Sequence, residues 1–184
     1  MIIIGLLGFI GSGKDTVADY LVSKYGFKKL TMSDMVKEEL RKNNLPISRE
    51  EMQKLSIKYK AKHGNGIWAK KCVEYAKKNN WQKIVISGVR DTKELPEFKL
   101  GGNFILVFVD ADLEIRLNRL QKRDSEKDVK SRTELISQEK REIEIFDLFR
   151  EYSKYYDYRI SNNRDIANLK KETDKFVLKY KLDK

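Results

Sequence analysis

A chain of 184 residues with 40% apolar content is long enough for one domain with a real core and short for two independent ones. Its single cysteine, Cys72, excludes an internal disulfide, and no Cys/His cluster is available to hold zinc. The 39 Lys and Arg against 28 Asp and Glu leave a charge of +11, which suits anionic partners but equally a solvated Lys/Glu-rich surface, so charge alone selects no partner.

Met1 to Ile10 is apolar but has no basic lead-in and is about half the length of a membrane span, so the expected location is cytoplasmic, without membrane attachment. The run Met1 to Leu7 instead predicts a central parallel strand covered on both faces. A glycine loop follows, then a helix with Val17, Ala18, Leu21 and Val22 on one side and Gly26 placed to end it. Leu30 to Met32 predicts a short second strand, with Ser33 capping a helix that carries Met35, Val36 and Leu40. After the break at Asn43 to Pro46, Ser48 and Glu51 form a capping box for a helix through Met52, Leu55 and Tyr59 to Gly64. The next helix places Trp68, Cys72 and Ala76 on one stripe.

Lys83 to Ser87 and Phe104 to Val109 are runs too short for helices and rich in branched residues, as buried strands require. A helix from Asp112 carries Leu113, Leu117 and Leu120 into the charged stretch Gln121 to Arg132. Ser131 and Glu134 open a helix bearing Leu135, Ile143, Phe146 and Phe149, followed by a strand at Tyr158 to Ser161 and a helix with Ile166, Leu169, Phe176 and Val177. The alternation predicts an α/β fold with a five-stranded parallel sheet between two helical layers and a ligand site at the carboxyl ends of the strands.

Gly8-Phe9-Ile10-Gly11-Ser12-Gly13-Lys14-Asp15-Thr16 is a G-x-x-x-x-G-K element between the first strand and first helix. Its glycines let backbone N–H groups surround phosphates, the helix start adds its dipole, and Lys14 reaches the outer phosphates. Asp15 stands where the general motif has Ser or Thr. The order G-x-x-G-x-G-K-x-T resembles the adenylate kinase and dephospho-CoA kinase group, and GSGKDT is similar to deoxynucleoside monophosphate kinases. With the other segments, the chain is most similar to archaeal adenylate-kinase-related proteins.

That resemblance implies a single P-loop kinase domain: a core of 1–31, 67–118 and 135–184, a helical acceptor-binding insertion at about 32–66, and a short lid at about 119–134. It implies ATP and Mg2+ as cofactors and a small phosphate-bearing acceptor: a nucleoside or deoxynucleoside monophosphate, or dephospho-CoA. Gly8, Gly11, Ser12, Gly13, Lys14, Asp15 and Thr16 would bind ATP, with Asp15 and Thr16 toward the metal. Ser87-Gly88-Val89-Arg90-Asp91 resembles the D-G-x-x-R or D-G-x-R element, which makes Arg90 an acceptor-phosphate ligand. Ser87 replaces the acidic residue there, with Asp91, Asp110 or Asp34 available to make it good. Arg116, Arg119 and Arg123 share a helix face; by resemblance to the kinase lid, Arg119 packs on adenine and Arg123 grips the transferred phosphate. Asp34, near Arg41, is either a general base or acceptor-orienting group, or a helix-start carboxylate. Gln53, Lys60 and His63 lie within reach of an acceptor or only of solvent, and Asn162 or Asn163 lies beside the base. The activity expected is ATP-dependent phosphoryl transfer. The alternatives are a regulatory ATPase working on RNA or ribonucleoprotein, for which nucleic acid is a permitted partner, and a nucleotide-binding protein without turnover.

Overall fold

The apolar run at the start of the chain forms the middle of the sheet. In the computed structural model, which describes residues 1–123 and 131–183, strand β1 (Ile2–Leu7) is paired in parallel on both sides, with β3 (Lys83–Ser87) and with β4 (Asn103–Asp110). The edges are β2 (Lys28–Leu30) and β5 (Tyr158–Ser161), so the order is β2-β3-β1-β4-β5, all parallel. Ile2 faces both Lys83 and Asn103 across the sheet.

Alternation along the strands builds two cores. Ile3, Leu7, Ile84, Ile86, Leu106 and Phe108 face one layer, made by α2 (Met32–Lys42), α3 (Arg49–His63), α4 (Ile67–Lys78), α5 (Leu95–Gly101) and α8 (Asp147–Arg150). Ile4, Leu6, Val85, Ile105, Val107 and Val109 face the other, made by α1 (Lys14–Tyr25) and α9 (Ile166–Lys179). Leu117 and Leu120 of α6 (Leu113–Arg123) pack with Leu135 of α7 (Arg132–Ile145) in a small separate cluster. Among the described residues no helix is long and apolar enough to cross a membrane.

Three local expectations are corrected and one element is added. Strand β2 ends at Leu30 because Thr31, not Ser33, caps α2: its hydroxyl accepts the Asp34 N–H (3.2 Å) and the Asp34 carboxylate accepts the Thr31 N–H (2.9 Å). Ser48 caps α3 by accepting the Glu51 N–H, but only half of the expected box forms, since the Ser48 N–H donates to Pro46 and Glu51 pairs with Lys54. Asp91 and Glu94 make an unforeseen capping box that starts a 3-10 turn (Thr92–Glu94), and Pro96 then sits in the first turn of α5. The helix expected through Phe149 breaks at Phe146, whose φ of −113° and ψ of 110° are extended. The break turns the Asp147 carboxylate toward the Thr92 N–H (2.8 Å).

The box of Ser131 and Glu134 opens α7 as expected. Of the anticipated lid at 119–134, residues 124–130 lie outside the described residues.

Phe98 is fully buried with its ring stacked 5.3 Å from Phe104. Phe98→Ala is expected to lower unfolding free energy by about 3–5 kcal/mol, measured by urea denaturation.

Candidate active site

All five strands end at one edge, where the Gly8–Thr16 loop and the Ser87–Asp91 turn lie. The loop between β1 and α1 carries Gly11 and Gly13 at φ of 77° and 91°, a conformation open to glycine. It is held from outside. The Asn162 amide, at the end of β5, donates to Ser12 O (2.8 Å), and Arg116 Nη1 of α6 donates to Ile10 O (3.3 Å). In a trans peptide C=O and N–H point in opposite directions, so tying these carbonyls to Arg116 and Asn162 turns the Gly11 and Gly13 N–H groups away from those two side chains.

Two cavities meet at this loop. One, of about 320 Å³, is bounded by the loop from Ile10 to Thr16 and by Arg119 and Arg123. It continues past Thr16 and Arg119 into a shallow, mainly apolar hollow of about 660 Å³ along Arg164, Ile166 and Ala167. The other cavity, of about 420 Å³, has Thr31, Ser56, Lys60, Trp68, Arg90 and Glu94 in its wall. Lys14 and Asp15 line both.

A family model described as an AAA domain matches residues 4–147. A UPF0200 protein of Thermoplasma volcanium is 31% identical over 137 residues, covering 74% of this chain and 75% of that one. The chain belongs to the AAA-domain and UPF0200 families. A UPF0200 protein of Methanothermobacter thermautotrophicus is 28% identical over 97% of this chain and 90% of its own. Against the UPF0200/UPF0201 protein of Archaeoglobus fulgidus, 30% identical, the chain spans 45% of the relative's length. The fold is that of P-loop kinases. A Thermus thermophilus protein superposes with a TM-score of 0.63 at 21% identity, covering 97% of both chains. A shikimate kinase from Bacteroides thetaiotaomicron gives 0.62 at 14%, covering 98% of both.

In this UPF0200 member the electrostatics centre on Lys14. Burial pulls its pKa down, as do Arg90 and Arg123, while Asp15 and Glu142 pull it up, with a net lowering. Burial alone would raise the Asp15 pKa, but the Ser87 hydroxyl, which donates to its carboxylate at 2.8 Å, outweighs this together with Lys14 and Lys29. Asp15 therefore stays ionised, and its side chain is 61% exposed. Arg119 donates from Nη2 to Asn162 O (2.9 Å) and Oδ1 (3.1 Å), and its buried Nη1 has no hydrogen-bond partner among the described residues. A cradle of loop N–H groups, a lysine, a donor of this kind and the Asp15–Thr16 oxygens fits a polyphosphate with a hard cation.

Gly8, Gly11, Ser12, Gly13, Lys14, Asp15, Thr16, Arg90, Arg119 and Arg123 are brought to this edge. Others are not. Asp34 closes the capping box with Thr31 and pairs with Lys37 (3.4 Å), the helix-start arrangement, and it does not line the 420 Å³ cavity. Asp91 caps the 3-10 turn and Asp110 pairs with Arg159, so each of the three carboxylates named to make good Ser87 already has a partner. Arg116 is buried against Glu139 and the Ala111 carbonyl, a pin for the loop. Asn162 and Asn163 donate from their amides to Ser12 O and Asp112, and Asn162 also borders the 660 Å³ hollow. Lys60 reaches the cavity wall, His63 packs against Tyr59, and Arg41 pairs with Glu38.

Glu94 escaped the sequence reading, although its spacing from Asp91 is that of a capping box. Its carboxylate accepts the N–H groups of Arg90 (3.0 Å) and Asp91 (3.3 Å) and so shapes the turn that presents Arg90. The Arg90 guanidinium lies 3.6 Å from Glu142 and 5.3 Å from the Phe146 ring centre.

Two outcomes are expected. Gly13 and Gly26 both have positive φ, but a Cβ on Gly13 meets Asn162 Nδ2 at 2.3 Å and one on Gly26 meets nothing within 4 Å. Thermal melts should therefore show Gly13→Ala costing more than Gly26→Ala by roughly 1–3 kcal/mol. Burial raises the Glu94 pKa from 4.5 to about 7. Folding thus favours the protonated form, and the stability this gives is complete below pH 4.5 and lost as pH rises through about 7. Glu94→Gln should remove this dependence and melt higher than the unmodified chain above pH 7, by up to roughly 3 kcal/mol.

Proposed function

We propose that the chain is an ATP-dependent phosphotransferase that moves the γ-phosphoryl group to a small phosphate-bearing acceptor: a nucleoside or deoxynucleoside monophosphate, or dephospho-CoA. The observation that carries this reading is that Lys14 and Asp15 line both cavities, so one lysine faces the place of a donor phosphate and that of an acceptor. Such transfer needs alignment and neutralised charge more than a covalent nucleophile. The 320 Å³ cavity takes the triphosphate on the loop N–H groups and Lys14, with adenine toward the hollow beside Arg119. The 420 Å³ cavity takes the acceptor, its phosphate at Arg90 and Lys60 and its apolar part toward Trp68.

In this reading 32–66 forms the acceptor wall, 119–134 is the lid carrying Arg123, and the protein works in the cytoplasm. Magnesium, held by Asp15 and Thr16 among phosphate oxygens and water, would neutralise charge on the phosphates.

The test is ADP release from magnesium-ATP, first alone, then with each nucleoside and deoxynucleoside monophosphate, dephospho-CoA, shikimate or RNA. A sharp rise with one phosphate-bearing acceptor is expected. A response to shikimate alone would replace the acceptor class, and stimulation by RNA alone would favour the ATPase reading, to which the charge of +11 belongs. Lys14→Ala should lower turnover by roughly 10²-fold or more, and near-normal turnover would defeat the proposal.

A further inference from the structure

Asp15 and Ser87 sit opposite one another at the junction of the two cavities, Asp15 at the start of α1 and Ser87 at the end of β3. The Ser87 hydroxyl donates to Asp15 Oδ1 at 2.8 Å. In the general phosphate-binding loop the residue after the lysine is a hydroxyl and the facing strand carries the acid, whereas in the G-x-x-G-x-G-K-x-T order of this chain the loop hydroxyl falls on Thr16. Here each position holds the other's residue type. Changing one position alone would leave two hydroxyls with no charge for a cation, or two carboxylates at hydrogen-bonding distance. The pair as it stands keeps one of each in contact.

We infer that the carboxylate and hydroxyl of the cation-nucleotide site have changed places between β3 and α1, Asp15 supplying the charge toward the divalent cation and Ser87 orienting it. Two further observations agree. Lys29 on β2 lies 3.4 Å from Asp15, a cation beside the relocated charge. Ser87 is buried, 7% exposed, while the Asp15 side chain is open to the cavities, so the hydroxyl acts through the carboxylate. Among the described residues no group of three His, Cys, Asp or Glu could hold a metal unaided. A cation bound mainly by phosphates and water, with one protein carboxylate, is how magnesium is commonly held.

This inference rests on the proposed nucleotide site, and its test separates the two. The full-length protein and the variants Asp15→Ser, Asp15→Asn, Ser87→Asp and Asp15→Ser/Ser87→Asp are titrated with fluorescent ADP at several magnesium concentrations. Manganese bound to each ADP complex is counted by electron paramagnetic resonance, and melting curves establish folding. Asp15→Asn keeps an acceptor for the Ser87 hydroxyl and removes only charge, so it reports even where Asp15→Ser unfolds. Asp15→Ser and Asp15→Asn should weaken the metal by roughly tenfold or more. The exchanged double variant should recover to within about threefold, a coupling that independent sites would not show. Manganese affinity untouched in Asp15→Asn, or a double variant no better than the sum of its parts, would overturn the exchange and leave the nucleotide site standing. Failure of the unmodified protein to bind ADP with or without metal would overturn both.

Discussion

The hydrogen bond from the Asn162 amide to Ser12 O joins the far end of the chain to the loop on which the candidate site rests. A glycine-rich loop gains no shape from its own side chains, and its glycines lose the most freedom on ordering. Asn162 and Arg116 supply the missing definition from outside by occupying the carbonyls of Ser12 and Ile10. Asn162 in turn accepts from Arg119, so one residue just after β5 fixes both the loop and an arginine of the cavity wall. Arg116 is itself pinned by Glu139 of α7, which brings the α6–α7 pair into register with the phosphate cradle.

The same helix reaches the other cavity. Glu139 meets Arg116 under the loop, and Glu142, three residues on, meets Arg90. On a helix these positions are neighbours on one face, so α7 links the arginine behind the donor loop to the arginine at the acceptor wall. Phe146 closes that face over Arg90 just where the helix breaks.

Much of this was legible in the sequence where the signal is local. The Gly8–Thr16 spacing, the apolar runs of β1, β3 and β4, and the Ser131 cap each require only neighbours along the chain, and each is found. What resisted reading depends on distant partners or on a choice between adjacent residues. Arg116 and Arg119 are equivalent by helical spacing, and only the approach of Glu139 and Asn162 separates a buried pin from a cavity donor. Asp34 reads as available for chemistry because Thr31, the residue that caps α2, falls inside the strand expected at Leu30 to Met32, two residues later than β2 lies. Ser87 looked like a lost acid because its partner, Asp15, is 72 positions away in the chain.

The central position of β1 has a consequence for how the chain is made. As the chain leaves the ribosome, β1 emerges well before both of its pairing partners, with β3 beginning at Lys83 and β4 at Asn103. Parallel pairings over such separations close slowly. The loop after β1 therefore lacks its frame until β4 has been synthesised, and lacks its clamp until Asn162 follows. A nascent chain of this protein carries the complete phosphate-binding motif well before the scaffold that would let it grip a nucleotide.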